Sequence, residues 1–73
     1  MKVADATEFG AQIRARRKEK GLSQGQLAEL CAVSVRFVSE VERGRASASV
    51  GLVLHLCTRL ALDVLVEPRE QVR

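Results

Sequence analysis

Apolar residues along this 73-residue chain recur at intervals of three and four, broken by residues that start and stop helices. Asp5, followed three residues later by Glu8, reads as a capping box. A first helix then runs to about Lys20, with Gly21 suited to a left-handed stop. Ser23 and Gln26 form a second box and open a helix through about Cys31. Ser34 caps a third helix, which ends near Arg43 with Gly44 beyond it. Ser47 or Ser49 opens a fourth, reaching about Ala61. The segment Asp63–Glu67 is short, β-branched and stopped by Pro68, and it reads as a strand. The charged residues Arg69–Arg73 are expected to be mobile. The pattern predicts one all-α domain of four helices over residues 1–62, a strand at 63–67 and a flexible tail at 68–73.

The third helix carries the most informative geometry. With Val35 at zero and about 100° per residue, Phe37, Val38 and Val41 cluster at roughly 200–300°. Val35, Ser39, Arg43, Arg36 and Glu40 fall at roughly 0–140°. One face is core. The other is polar, carries two arginines and presents a lone valine. An ordinary solvated surface accounts for such a face on most helices. Here a second short helix precedes it across the tight connection Ala32–Ser34, which is the helix-turn-helix arrangement.

The fourth helix is apolar on two sides. Val50, Val53, Leu54 and Cys57 form one stripe, extended by Leu60 and Ala61, and Leu52 with Leu56 forms a second. One stripe closes the core and the other needs a cover. Val64, Leu65 and Val66 are consecutive, so both faces of the strand call for burial, and a lone strand has no ladder partner in this chain. Pairing with a second copy about a two-fold axis answers both needs, with Leu52, Leu56, Val64, Leu65 and Val66 at the interface. The alternative is a strand that folds back on its own helices.

Composition narrows the function. The chain is 47% apolar and 29% charged, which is globular. A domain this small buries only about 60% of its unfolded surface, which argues against a large enclosed active site and favours a dimer. Phe9 and Phe37 are its only aromatics, too few for a base-stacking RNA platform. The net charge is +3. Residues 14–45 hold eight basic residues against four acidic ones, so the positive excess coincides with the helix-turn-helix unit, as phosphate binding requires. Arg14, Arg16, Lys18 and Lys20 read as a generally attractive solvated face.

Catalytic chemistry is missing. There is no Gly-rich phosphate loop, no nucleophile beside a base and no pair of catalytic carboxylates, so no enzyme is expected. His55 stands two residues before Cys57, off its face, so no metal and no cofactor is expected. Cys31 and Cys57 fall at core positions as small buried residues, with a redox disulfide the lesser alternative. With no signal peptide, and no apolar run long enough to span a bilayer, the expected location is the cytoplasm.

The stretch LSQGQLAELCAVSVRFVSEVERG (Leu22–Gly44) resembles the lambda-repressor-like, Cro/Xre-type helix-turn-helix family. The agreement lies at Ser23-Gln24, Leu27-Ala28, Val33-Ser34, Val38, Val41 and Glu42-Arg43-Gly44. IRARRKEKGLSQ (Ile13–Gln24) resembles that family's first helix and loop. Ala28 is small where two helices approach closely, and Leu27, Val38 and Val41 fill the space between them. Ala32 departs from the family, which often has Gly there; alanine at positive φ costs about 1 kcal/mol.

The resemblance implies a lambda-repressor-like bundle that binds DNA, with the third helix entering the major groove by its N-terminal end. Val35, Arg36, Ser39 and Glu40 are then the base-edge candidates. Arg36 suits guanine, Val35 a thymine methyl and Glu40 cytosine N4, unless Glu40 steers Arg36 by an ion pair. Ser23, Gln24, Ser34, Arg43, Arg45 and Ser47 are the phosphate candidates, although Ser23 and Ser34 also serve as caps.

Arg17 continues the row of Phe9 and Ile13, so its base lies against the core, and a buried charge needs a partner. The resemblance supplies Glu42, giving an Arg17–Glu42 ion pair; the alternative is a solvated Arg17 within the basic run.

The C-terminal strand narrows the resemblance to HipB-type antitoxins, which dimerise through such a strand pair. It implies a dimeric repressor on a palindromic operator and a HipA-type kinase toxin as partner. The alternative function is a protein-interaction module that neutralises a toxin, with DNA binding secondary or lost.

Overall fold

The computed structural model describes residues 3–45, 47–66 and 68. Four helices stand in chain order among them: α1 (Ala6–Glu19), α2 (Gln24–Cys31), α3 (Val35–Glu42) and α4 (Val50–Arg59). The starts follow side-chain chemistry. Asp5 accepts from the Glu8 N–H at 2.9 Å, while the Glu8 carboxylate accepts from the Ala4 N–H rather than that of Asp5. Ser23 and Gln26 satisfy each other's backbone N–H groups in a complete capping box. Ser34 accepts from the Phe37 N–H at 3.0 Å. Ser49 precedes α4 without a side-chain cap.

The core gathers Ile13 from α1, Leu27, Ala28 and Cys31 from α2, Val38 and Val41 from α3, and Val53, Leu56 and Cys57 from α4, closed by Leu60. α1 packs on α3, and α2 packs on both α3 and α4. The α1–α3 approach requires Gly10. A methyl group there would collide with the backbone carbonyl oxygen of Val41 and lie within 2.8 Å of that of Glu42. Gly44, at φ 86°, ends α3 directly against the backbone of Thr7.

Three expectations are corrected. Leu56 is fully buried in the core and is not an interface residue; α4 turns Val53, Leu56, Cys57 and Leu60 inward. Val50 and Leu54, assigned to the core stripe, are exposed with Leu52. The inward row is therefore rotated towards Leu56, because α4 must reach α2 as well as close the bundle.

No strand forms among the described residues: 62–66 have no regular structure, and a single chain offers that segment no ladder. The fold is all-α. Leu62 and Val64 pack partly against their own core, while Leu65 and Val66 are exposed. Val64 is thus shared with the bundle rather than given over to an interface. Glu67 and residues 69–73 of the expected strand and tail lie outside the described residues.

Ala32 adopts φ 56°, ψ 43° at the end of α2, the left-handed conformation that glycine favours. Its N–H and that of Val33 return to the Glu29 and Ala28 carbonyls, which fixes the turn. Ala32→Gly should raise unfolding stability by about 0.5–1 kcal/mol, because the steric cost at positive φ exceeds the entropy lost with glycine. Gly10→Ala should lower it by about 3 kcal/mol through overpacking against backbone. Urea denaturation of the two variants checks both signs.

Candidate nucleic-acid interface

A buried ion pair holds the helix-turn-helix to α1. Arg17 donates from Nε to Glu42 Oε2 at 2.6 Å and from Nη2 to Oε1 at 3.1 Å. Each residue is only 7% exposed. Nη1 donates to the Leu22 carbonyl at 2.6 Å, in the turn between α1 and α2. Gln24, the first residue of α2, donates its amide Nε2 to Glu42 Oε1 at 3.0 Å. One carboxylate at the end of α3 therefore fixes α1 and the start of α2, and the guanidinium it holds fixes the turn between them. Among the described residues no buried side-chain polar atom lacks a partner, which is the condition under which a buried pair is tolerated.

This network gives Gln24 a structural partner that the sequence reading did not include. Its amide is engaged with Glu42 and half-buried. The second amide hydrogen of Nε2 and the free N–H groups of the first turn of α2 remain as donors for an anion.

The N-termini of α2 and α3 share a face. A methyl group on Gly25 would stand 3.8 Å from Ser23 Oγ and 4.0 Å from a Val35 methyl. Ser23, Ser34, Val35 and Arg36 are all exposed around that junction. Val35 is a half-exposed apolar side chain on the otherwise polar outer face of α3. Ser23 and Ser34 both act as caps, so their oxygens are occupied as acceptors while their hydroxyl protons stay available.

Towards the other end of α3, Ser39 and Glu40 are partly buried and Arg43 is exposed. Glu40 Oε2 accepts from Arg36 Nε at 3.2 Å and from Arg45 Nη1 at 3.3 Å. Glu40, Arg43, Gly44 and Arg45 line an open polar notch of about 290 Å³. Ser47 is exposed in the loop after it.

Two arginines hold α4 in ways the sequence reading missed. Arg16, read there as a solvated charge, donates to the Leu60 carbonyl at 2.9 Å and satisfies the end of α4. Arg59 donates to the Leu30 carbonyl near the end of α2. The signal available was position: each arginine is placed to reach carbonyls left open at a helix C-terminus.

Cys31 and Cys57 are buried free thiols. Burial pushes both thiols above their ordinary range, with the Arg59 charge partly offsetting this at Cys31. No described helix is long and apolar enough to cross a membrane, and the described residues contain no cluster of metal-binding side chains.

The chain belongs to the helix-turn-helix domain family, whose model matches residues 8–71. This is a class of transcriptional regulators and not of enzymes. The chain is 33% identical over 66 residues to y4mF of Sinorhizobium fredii, an uncharacterized HTH-type transcriptional regulator, across 88% of this chain and 87% of that protein. It is 32% identical over 64 residues to the ImmF control region 10 kDa protein of Bacillus phage phi105, across 88% of this chain and 71% of that one. Its fold matches a chain of a HipB–O4 20mer complex with a TM-score of 0.84. The match covers 96% of this chain and 99% of that chain at 16% identity.

Arg17→Ala leaves Glu42 buried without its counter-charge and should cost about 3–5 kcal/mol, a large share of the stability of so small a domain. Thermal unfolding measures it, and an unchanged midpoint would show that the pair does not stabilise the fold. The raised thiols give a pH dependence. The unfolded chain ionises its thiols first, so their contribution is fully present below the ordinary thiol range. It should decline as pH rises beyond about 9 towards the folded values. Stability measured against pH in wild type and in Cys31→Ser/Cys57→Ser should show the decline only in wild type.

Proposed function

We propose that this chain is a dimeric repressor that binds a palindromic DNA operator, with the N-terminal half of α3 in the major groove. The observation that carries the reading is the shared face of the α2 and α3 N-termini, where Val35 and Arg36 stand outward beside an α2 start locked by the buried ion pair. Such a face offers a methyl contact for thymine and a guanidinium for guanine at a fixed register, with Ser39 in the same row. Backbone donors of α2, Gln24, Ser23 and Ser34 lie on one flank for phosphates. Arg43, Arg45 and Ser47 lie on the other.

A second copy suits the apolar surface left open. Leu52 is exposed on α4, and Leu65 and Val66 are exposed in the segment beyond it, at 64% and 93% for the last two. Pairing of that segment between two copies would cover these side chains and supply the missing ladder. Two recognition helices about one turn of DNA apart follow from the two-fold. A HipB-type antitoxin role is the finer form of this reading. It is supported by the fold match.

Fluorescence anisotropy with a duplex from upstream of the gene and a scrambled duplex tests operator binding. Selective binding of the first supports the reading. Equal, steeply salt-dependent binding of both would reduce it to phosphate attraction. Arg36→Ala should cost about 1–3 kcal/mol on the operator and relax preference at one base pair. In sedimentation at micromolar concentration the wild type should run as a dimer and Leu65→Asp as a monomer. A kinase encoded beside the gene and retained on the tagged protein would support the antitoxin role.

A further inference from the structure

Glu40 lies between the two ends of the candidate DNA-binding face. Its Oε2 accepts from Arg36, in the first turn of α3, and from Arg45, in the loop beyond that helix. The Glu40 side chain is 21% exposed, against 83% for Arg36 and 56% for Arg45. The carboxylate is thus recessed behind the two cations it joins. Arg43 lines the same notch.

This placement is poor for a residue that accepts from a base edge. The arginines stand farther out, and one carboxylate oxygen already takes two donors. It is well suited to controlling the arginines. Glu40 holds Arg36 by Nε, which leaves both terminal Nη groups free. Those groups can make the paired contact to guanine O6 and N7 without breaking the ion pair, since both guanine acceptors are uncharged. A phosphate, by contrast, brings a second negative charge towards a cation already neutralised, and meets the Glu40 charge behind it.

We propose that Glu40 is a specificity-determining positioning residue: it orients Arg36 for base reading and weakens the hold of Arg36 and Arg45 on non-cognate phosphates. The proposal rests on the operator reading above.

Glu40→Gln removes the charge and keeps the shape. Glu40→Asp keeps the charge and shortens its reach to Arg36. Anisotropy on the duplex from upstream of the gene and on the scrambled duplex, at about 50 and about 200 mM salt, reads both variants against wild type. Glu40→Gln should bind the scrambled duplex about 3–10-fold more tightly, with a salt dependence steeper by about one phosphate contact. The upstream duplex should gain less, so the ratio between the two falls. Glu40→Asp should keep the weak scrambled binding and lose affinity for the upstream duplex. Thermal unfolding within a few degrees of wild type shows that the fold is intact.

Loss of upstream binding by Glu40→Gln, with scrambled binding unchanged, would make Glu40 a base reader and overturn the proposal. No change on either duplex would overturn it as well. Both results leave the operator reading standing if wild type discriminates. Failure of wild type to discriminate removes that reading, and the proposal with it.

Discussion

The buried contact between Arg17 and Glu42 is the constraint on which the other features depend. A carboxylate so enclosed is costly unless each of its acceptor positions is used, and here α1 and the start of α2 supply the donors. The same guanidinium also satisfies a carbonyl in the turn that joins those helices. The register of α2 against α3 follows from electrostatic and hydrogen-bonding needs as well as from packing. Apolar cores of this size tolerate slippage and repacking, whereas a forked pair with fixed geometry does not.

Packing then completes what the ion pair begins. Gly10 lets α1 lie against the α3 backbone, which brings Arg17, two turns further on, within reach of Glu42. Ala28 and Cys31 are small residues of the core that α2 shares with α3 and α4. The outward face of α3 is left free because every inward position is taken. Its chemistry, a valine among arginines and a recessed carboxylate, is a by-product of the core only in placement; its residue types are what make it suited to DNA.

The helix boundaries and the turn were legible because they rest on local chemistry: the Ser23 box, the Ser34 cap and Gly44 each act within a few residues. The Arg17–Glu42 pair was legible in part, since periodicity buried Arg17 but only a family likeness named its partner. The bond from Gln24 to Glu42 was not legible because it joins residues 18 positions apart. Leu56 was assigned to the wrong face because α4 is apolar nearly all round, and such a helix does not disclose its orientation. The strand was read from β-branched residues whose ladder, if formed, depends on atoms outside one chain. Arg16 and Arg59 were missed because a charged residue that bonds a distant carbonyl looks the same in sequence as one in water.

The two arginines that end on helix carbonyls have a mechanical meaning. Arg59 ties the last turn of α4 to α2, and Arg16 ties the residue after that turn to α1. Beyond this point, braced from two directions, the chain still packs Leu62 and Val64 on the core before Leu65 and Val66 stand exposed. In any assembly joined through residues 62–66, this root behaves as a clamped bracket rather than a tether. The spacing and angle between two bundles would then be transmitted with little slack, and a duplex with altered half-site separation would have to deform in place of the protein.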